Sequence, residues 1–93
     1  MDSDKYRLQI WYGGHVQGVG FRFKAAQIAK GYKVSGYVRN LDDGRVHLAA
    51  VGEKAEVRGF VDELSRIMAD FIRSTDEKED LTSAKYAGFN IEL

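Results

Sequence analysis

Residues 34–51 read VSGYVRNLDDGRVHLAAV, and the order of elements around them decides the fold. Val34 to Asn40 and Arg45 to Val51 are two short runs rich in β-formers. Between them stands Asp42-Asp43-Gly44, a cluster with the turn chemistry of a short hairpin loop. The reading is two antiparallel strands. Upstream, Tyr6 to Tyr12 (YRLQIWY) begins with apolar–polar alternation and ends at Gly13, which marks another strand. Phe21, Ala25, Ile28 and Ala29 then recur at helical spacing, predicting an amphipathic helix from Phe21 to about Lys30, closed by Gly31 or Lys33. Downstream, Val57, Phe60, Val61, Leu64, Ile67 and Met68 trace the core stripe of a second helix over 53–68. Phe71 to Lys78 fits either a polar edge strand or an extension of that helix. The acidic cluster Asp76 to Asp80 reads as solvated surface. Gly88 to Leu93 alternates and reads as the last strand.

The order is β-α-β-β-α-β, with one ambiguous segment before the final strand. That order predicts an α+β fold, an α/β sandwich of the ferredoxin-like type: one antiparallel sheet with both helices on one face. The chain has 93 residues, enough for one domain, 1–93, with its core at about 5–93. No cysteine is present, so disulfide frameworks and thiolate chemistry are excluded. The longest apolar run is four residues, Leu48 to Val51, where a membrane helix needs about twenty. The polar stretch Met1 to Lys5 has no signal-peptide character, and a cytoplasmic location is expected.

Zero net charge hides an asymmetry. Residues 1–52 carry eight Lys/Arg against four Asp/Glu, and residues 53–93 carry six against ten. From Lys5 to Leu41 there is no carboxylate, a pattern suited to an anion. Within that tract lies Gly14-His15-Val16-Gln17-Gly18-Val19-Gly20-Phe21-Arg22, joining a strand to a helix. Such a loop turns backbone N–H groups towards one point, and the helix N-terminus adds partial positive charge. Arg22 sits in the first helical turn, where a cation opposes the dipole unless an anion lies in front of it; its planar fork suits phosphate oxygens. The loop matches neither a Walker A nor a dinucleotide-binding pattern. A plain tight βα turn is the bland alternative.

Gly14-x-Val16-Gln17-Gly18-Val19-x-Phe21-Arg22 resembles the first signature of the acylphosphatases. Gly36-Tyr37-Val38-Arg39-Asn40-x-x-x-Gly44-x-Val46, with Gly52 beyond it, resembles their second, and Gly88-Phe89-x-Ile91 their closing strand. The resemblance runs from about Lys5 to Leu93. It implies hydrolysis of the carboxyl–phosphate bond of acylphosphates, without cofactor, metal or covalent intermediate. It places the phosphate-binding arginine on Arg22, the water-positioning asparagine on Asn40, and the phosphate-cradling loop on His15, Val16, Gln17, Gly18, Val19 and Gly20. His15 reads as a passive loop residue that can add to the local field when protonated.

An acylphosphate has a good carboxylate leaving group and needs little acid catalysis. The catalyst must hold the phosphoryl group and aim one water in line. Arg22 and the loop amides suit the first task. Asn40 suits the second, by orientation rather than proton removal. An Asx turn opening the hairpin is the competing role for Asn40. The expected partners are a small acylphosphate and inorganic phosphate, as product and inhibitor, with no nucleic acid and no membrane, and the chain is expected to act as a monomer. A non-catalytic anion-binding module of the same fold is the alternative. A ferredoxin-like nucleic-acid binder is disfavoured by the acidic second half.

Overall fold

The computed structural model describes residues 4–93. The chain runs β1 (Lys5–Gly14), α1 (Phe21–Ala29), β2 (Val34–Asn40), β3 (Val46–Gly52), α2 (Lys54–Ile67), a single 3-10 turn (Ala69–Phe71), β4 (Ile72–Thr82) and β5 (Phe89–Glu92). The sheet order is β4-β1-β3-β2-β5. β3 lies in the middle and is buried along its whole length, which its sequence VHLAAVG permits. On β1 the alternation sends Leu8, Ile10 and Tyr12 into the core and leaves Arg7, Gln9 and Trp11 on the other face. The helices cover the core face. α1 contributes Phe21, Ala25 and Ala29, and α2 contributes Val57, Phe60, Val61 and Leu64.

One ambiguity in the sheet is resolved and one expectation corrected. Of the two readings of the ambiguous segment, the polar edge strand is the one that forms, as the 11-residue strand β4, longer than Phe71 to Lys78 and paired with β1 from Lys5↔Thr82 to Gly14↔Ile72. It is β4 that completes the β-α-β-β-α-β unit. The last segment, β5, lies at the opposite edge and runs parallel to β2, with Gly36↔Phe89 and Val38↔Ile91. The sheet is therefore antiparallel except for this pair. β4 buries almost none of its residues, so hydrophobic alternation cannot mark it. The acidic cluster lies at the surface as expected, and three of its carboxylates, Glu77, Glu79 and Asp80, are also engaged in ion pairs. Asp80 takes a two-pronged bond from Arg7 at 2.8 and 2.6 Å, and Arg58 on α2 reaches Glu77 at 3.1 Å and Glu79 at 2.8 Å. Charges along an edge strand also discourage pairing with another chain.

The predicted core stripe holds, including Met68 just beyond the end of α2, except at Ile67, which is 41% exposed. No helix among the described residues is long and apolar enough to cross a membrane.

Candidate active site

β1 loses its regular register at Gly13/Gly14, and the chain leaves the sheet there. The amide of His15 donates to the Phe71 carbonyl at 2.9 Å, which fixes one foot of the following loop. Val16 is fully buried and Val19 packs partly against the core, so the loop is anchored from beneath by its two valines. Gly18 and Gly20 both have φ +79°, the left-handed region that glycine occupies without strain. A Cβ at either would meet nothing within 4 Å. Glycine is needed here for the backbone angle, and the space it leaves faces the solvent. Gly20 is the N-cap of α1, with no side-chain cap and no acidic residue in the first turn. Among the described residues, the amides of residues 16–20 donate to no backbone carbonyl or side chain. A run of unspent donors beside a helix N-terminus has the chemistry of a candidate anion cradle.

Arg22 follows in the first turn of α1. Its Nη1 lies 3.4 Å from the Glu92 carbonyl oxygen at the end of β5, which links the guanidinium to the last strand. Asn40 ends β2, opposite Val46. Its side chain does not close the hairpin turn. That work is done by Asp43, whose Oδ1 accepts from the Arg45 amide at 3.1 Å and whose Oδ2 accepts from Arg45 Nε at 2.9 Å. The Arg45 backbone and guanidinium hold the Asp43 carboxyl below its ordinary range and turn its charge towards Arg45. Val16, Gly18, Gly20, Arg22 and Asn40 meet around one cleft of about 200 Å³, with Phe23, Ile91 and Leu93 completing its wall.

The remaining loop residues have other surroundings. His15 is exposed, with its ring tilted 6.5 Å from that of Phe71. Gln17 has a job that reading the sequence did not find. Its Nε2 donates to the Leu41 carbonyl at 2.8 Å and to the Arg45 carbonyl at 3.0 Å. Those carbonyls flank the β2–β3 turn directly after Asn40. Gln17 thus ties the cradle to the strand end that carries Asn40. The signal available in the sequence was a polar side chain between two buried-type valines, which asks for a partner without saying which one.

Comparison with known proteins bears on the family and the fold. The family model described as Acylphosphatase matches residues 8–91. The acylphosphatase of Thermotoga maritima is 37% identical over 84 residues, covering 90% of this chain and 93% of that protein. The acylphosphatase of Archaeoglobus fulgidus is 46% identical over 54 residues, 58% of this chain and 61% of that protein. Among solved structures, the crystal structure of acylphosphatase from Bacillus subtilis superposes with a TM-score of 0.84 at 28% identity, covering 95% of this chain and 99% of that one. The fold also recurs inside a larger protein. Full-length HypF, in its phosphate- and nucleotide-bound form, gives a TM-score of 0.73 at 22% identity over 12% of its own length. With a family match over most of its length, a full-length relative above one-third identity and the same five-stranded architecture, the chain belongs to the acylphosphatase family.

Proposed function

We propose that the cleft hydrolyses acylphosphates to a carboxylate and inorganic phosphate, with residues 5–93 acting as one catalytic unit. The observation that carries this reading is the convergence of Gly18, Gly20, Arg22 and Asn40 on a single cleft. The loop amides and Arg22 bind the phosphoryl oxygens, and they meet the developing charge without reorganising. Asn40, its carboxamide not spent on the hairpin turn, holds a water against phosphorus on the side opposite the leaving group. The water oxygen forms the new P–O bond while the carboxylate departs with the electron pair of the old one. The proton passes to phosphate and solvent. A carboxylate is a stable enough leaving group that neither a general acid nor a Lewis acid is required, so the reaction is proposed to run without metal.

The basic character of residues 5–41 supports the same assignment, because a carboxylate there would repel the substrate and compete for Arg22. The Glu92 carboxylate, near the site, faces Arg39 at 3.7 Å. Turnover of a small molecule needs no partner chain, and the proposal extends to a monomeric cytoplasmic enzyme, the first part of which light scattering checks. Hydrolysis of benzoyl phosphate by the purified protein, with and without EDTA, tests the reaction. Equal turnover in both is expected. Loss of activity with EDTA and recovery with Mg²⁺ would refute the metal-free mechanism, and phosphate binding without turnover would leave only an anion-binding module.

A further inference from the structure

Five large apolar residues stand exposed among the described residues: Phe23, Ile67, Leu81, Ile91 and Leu93. Single exposed apolar side chains are ordinary. Here, however, Phe23, Ile91 and Leu93 all line the cleft that holds Arg22 and Asn40. Their positions follow from the elements that carry them. Phe23 is two residues beyond Phe21, about 200° around the helix, so it points away from the core and is 69% exposed. Ile91 pairs with Val38, a fully buried core residue, in a parallel ladder that puts the two side chains on the same face. Phe89, on that face too, stacks edge-on against Phe60 at 5.1 Å. Ile91 continues the core face beyond the end of its packing and out to the cleft. Helix packing needs neither residue in this exposed place.

An acylphosphate has two chemically different halves. The phosphoryl half needs amides and a guanidinium, and the acyl half is an organic group attached through one carbonyl, polar in some acylphosphates and a hydrocarbon in others. We propose that Phe23 and Ile91 form the subsite for the hydrocarbon half, and that this chain therefore selects acylphosphates with an extended apolar acyl group over acetyl phosphate. The inference rests on the proposed hydrolysis and names its substrate class. The subsite touches atoms remote from phosphorus. Its contacts are the same before and during bond cleavage, so they act on KM and leave kcat nearly constant.

The test is a series of acetyl, butanoyl and hexanoyl phosphate. Their leaving groups are almost equally acidic, so a difference in rate reports contact and not intrinsic reactivity. Each methylene moved from water to a half-open apolar wall is expected to raise kcat/KM by roughly two- to fourfold. Hexanoyl phosphate should thus exceed acetyl phosphate by at least about tenfold, carried by KM. Phe23→Ala should bring the two substrates to within about twofold of each other. Ile91→Ala should lower the ratio, Phe23→Leu should keep part of it, and Leu81→Ala, on β4, should keep all of it. Because Phe23 is exposed, its variants should melt close to the parent. A wild-type chain with no preference for chain length would overturn the subsite, as would a Phe23→Ala variant with the parental ratio. In both cases hydrolysis itself would still be observed. Absence of turnover with all three compounds would instead remove the proposed function, and the subsite with it.

Discussion

Replacing Gln17 by alanine removes two hydrogen bonds and nothing from the cleft wall, and its effect can be worked out in advance. Both N–H groups of the carboxamide are used, at 2.8 Å to Leu41 O and 3.0 Å to Arg45 O. A net contribution of about 0.5–1.5 kcal/mol per bond gives roughly 1–3 kcal/mol for the pair. The lower half of that range applies. Leu41 O still accepts from the Gly44 amide at 3.2 Å, and Arg45 O from the Leu41 amide at 2.8 Å, so neither carbonyl is orphaned. A loss of about 1–2 kcal/mol in a domain of this size lowers Tm by roughly 5–10 °C. The catalytic effect is separable. Gln17 couples the cradle to the strand end that holds Asn40, and a displacement of about 1 Å between catalytic groups costs up to about 10²-fold. Because β2 still holds Asn40 through its ladder, a fall in kcat of about tenfold is expected, with phosphate inhibition changed less. Thermal melting, the inhibition constant of phosphate and kcat on benzoyl phosphate are measured on one preparation. Gln17→Glu should be worse on all three, since it turns a carboxylate towards two carbonyls beside an anion site. A Gln17→Ala protein with reduced Tm and unchanged kcat would show that the tie is structural only and refute the coupling.

Three further outcomes follow from the site and the sheet. Arg22→Ala should nearly abolish activity and weaken phosphate inhibition together, at a cost of about 3 kcal/mol or more, and Arg22→Lys should rescue little because a point charge lacks the fork; unchanged phosphate affinity would move the anion site elsewhere. Asn40→Ala should lower kcat by about 10²-fold with phosphate inhibition retained, whereas a fully active, phosphate-binding variant would refute its role in placing water. His47 is 4% exposed, stacked on Trp11 at 4.7 Å, and its Nε2 donates to Gln9 Oε1 at 3.0 Å. Burial, with Arg39 and Arg45 nearby, pushes it down to about 4 from 6.5. Between those values the unfolded chain binds a proton that the folded one refuses, so stability should fall as pH drops from 6.5 towards 4 and be flat with respect to His47 above 6.5. The paired carboxylates Asp43, Glu79 and Asp80 start from 3.8–4.5 and are lowered further, so their loss sets in only towards the acid end of this window and leaves the range from pH 6.5 to 5 to His47. A Tm that stays constant from pH 6.5 to 5, or a His47→Phe variant with the parental slope, would contradict this account.

What the sequence disclosed was what is encoded locally. Val34–Asn40 has the same bounds in sequence and structure because alternation and the Asp42-Asp43-Gly44 turn are both short-range signals. The start of α1 at Phe21 follows from Gly20 and the apolar spacing after it. What it withheld is set by pairing at a distance. β4 is exposed along nearly its whole length and is held by its ladder to β1 and by Arg7 and Arg58, partners more than a dozen residues away, so no periodicity within it could reveal a strand. The edge that β5 joins depends on which strand of the sheet has a free side. The choice of edge matters for the site, because a final strand beside β1 would carry Ile91 and the Glu92 carbonyl away from Arg22.

The topology explains why residues as far apart as Gly18, Asn40 and Ile91 share one cleft. β1 and β2 each pair antiparallel with β3, so they run parallel to each other, and β5 runs parallel to β2. Three parallel strands end at the same rim of the sheet, at Gly14, Asn40 and Glu92. The helix that crosses from β1 to β2 must begin at that rim, so its N-terminus, Gly20 and Arg22 arrive there without any contact between the two signatures being required first. The remaining degree of freedom is the distance between the rim's parts. Gln17 closes the gap from the cradle to the end of β2, and the Arg22 guanidinium closes the gap from α1 to the end of β5. The fold thus brings the chemistry to one edge, and two side chains set its dimensions. This is why Gln17, although it is absent from the cleft wall, is expected to matter to the rate.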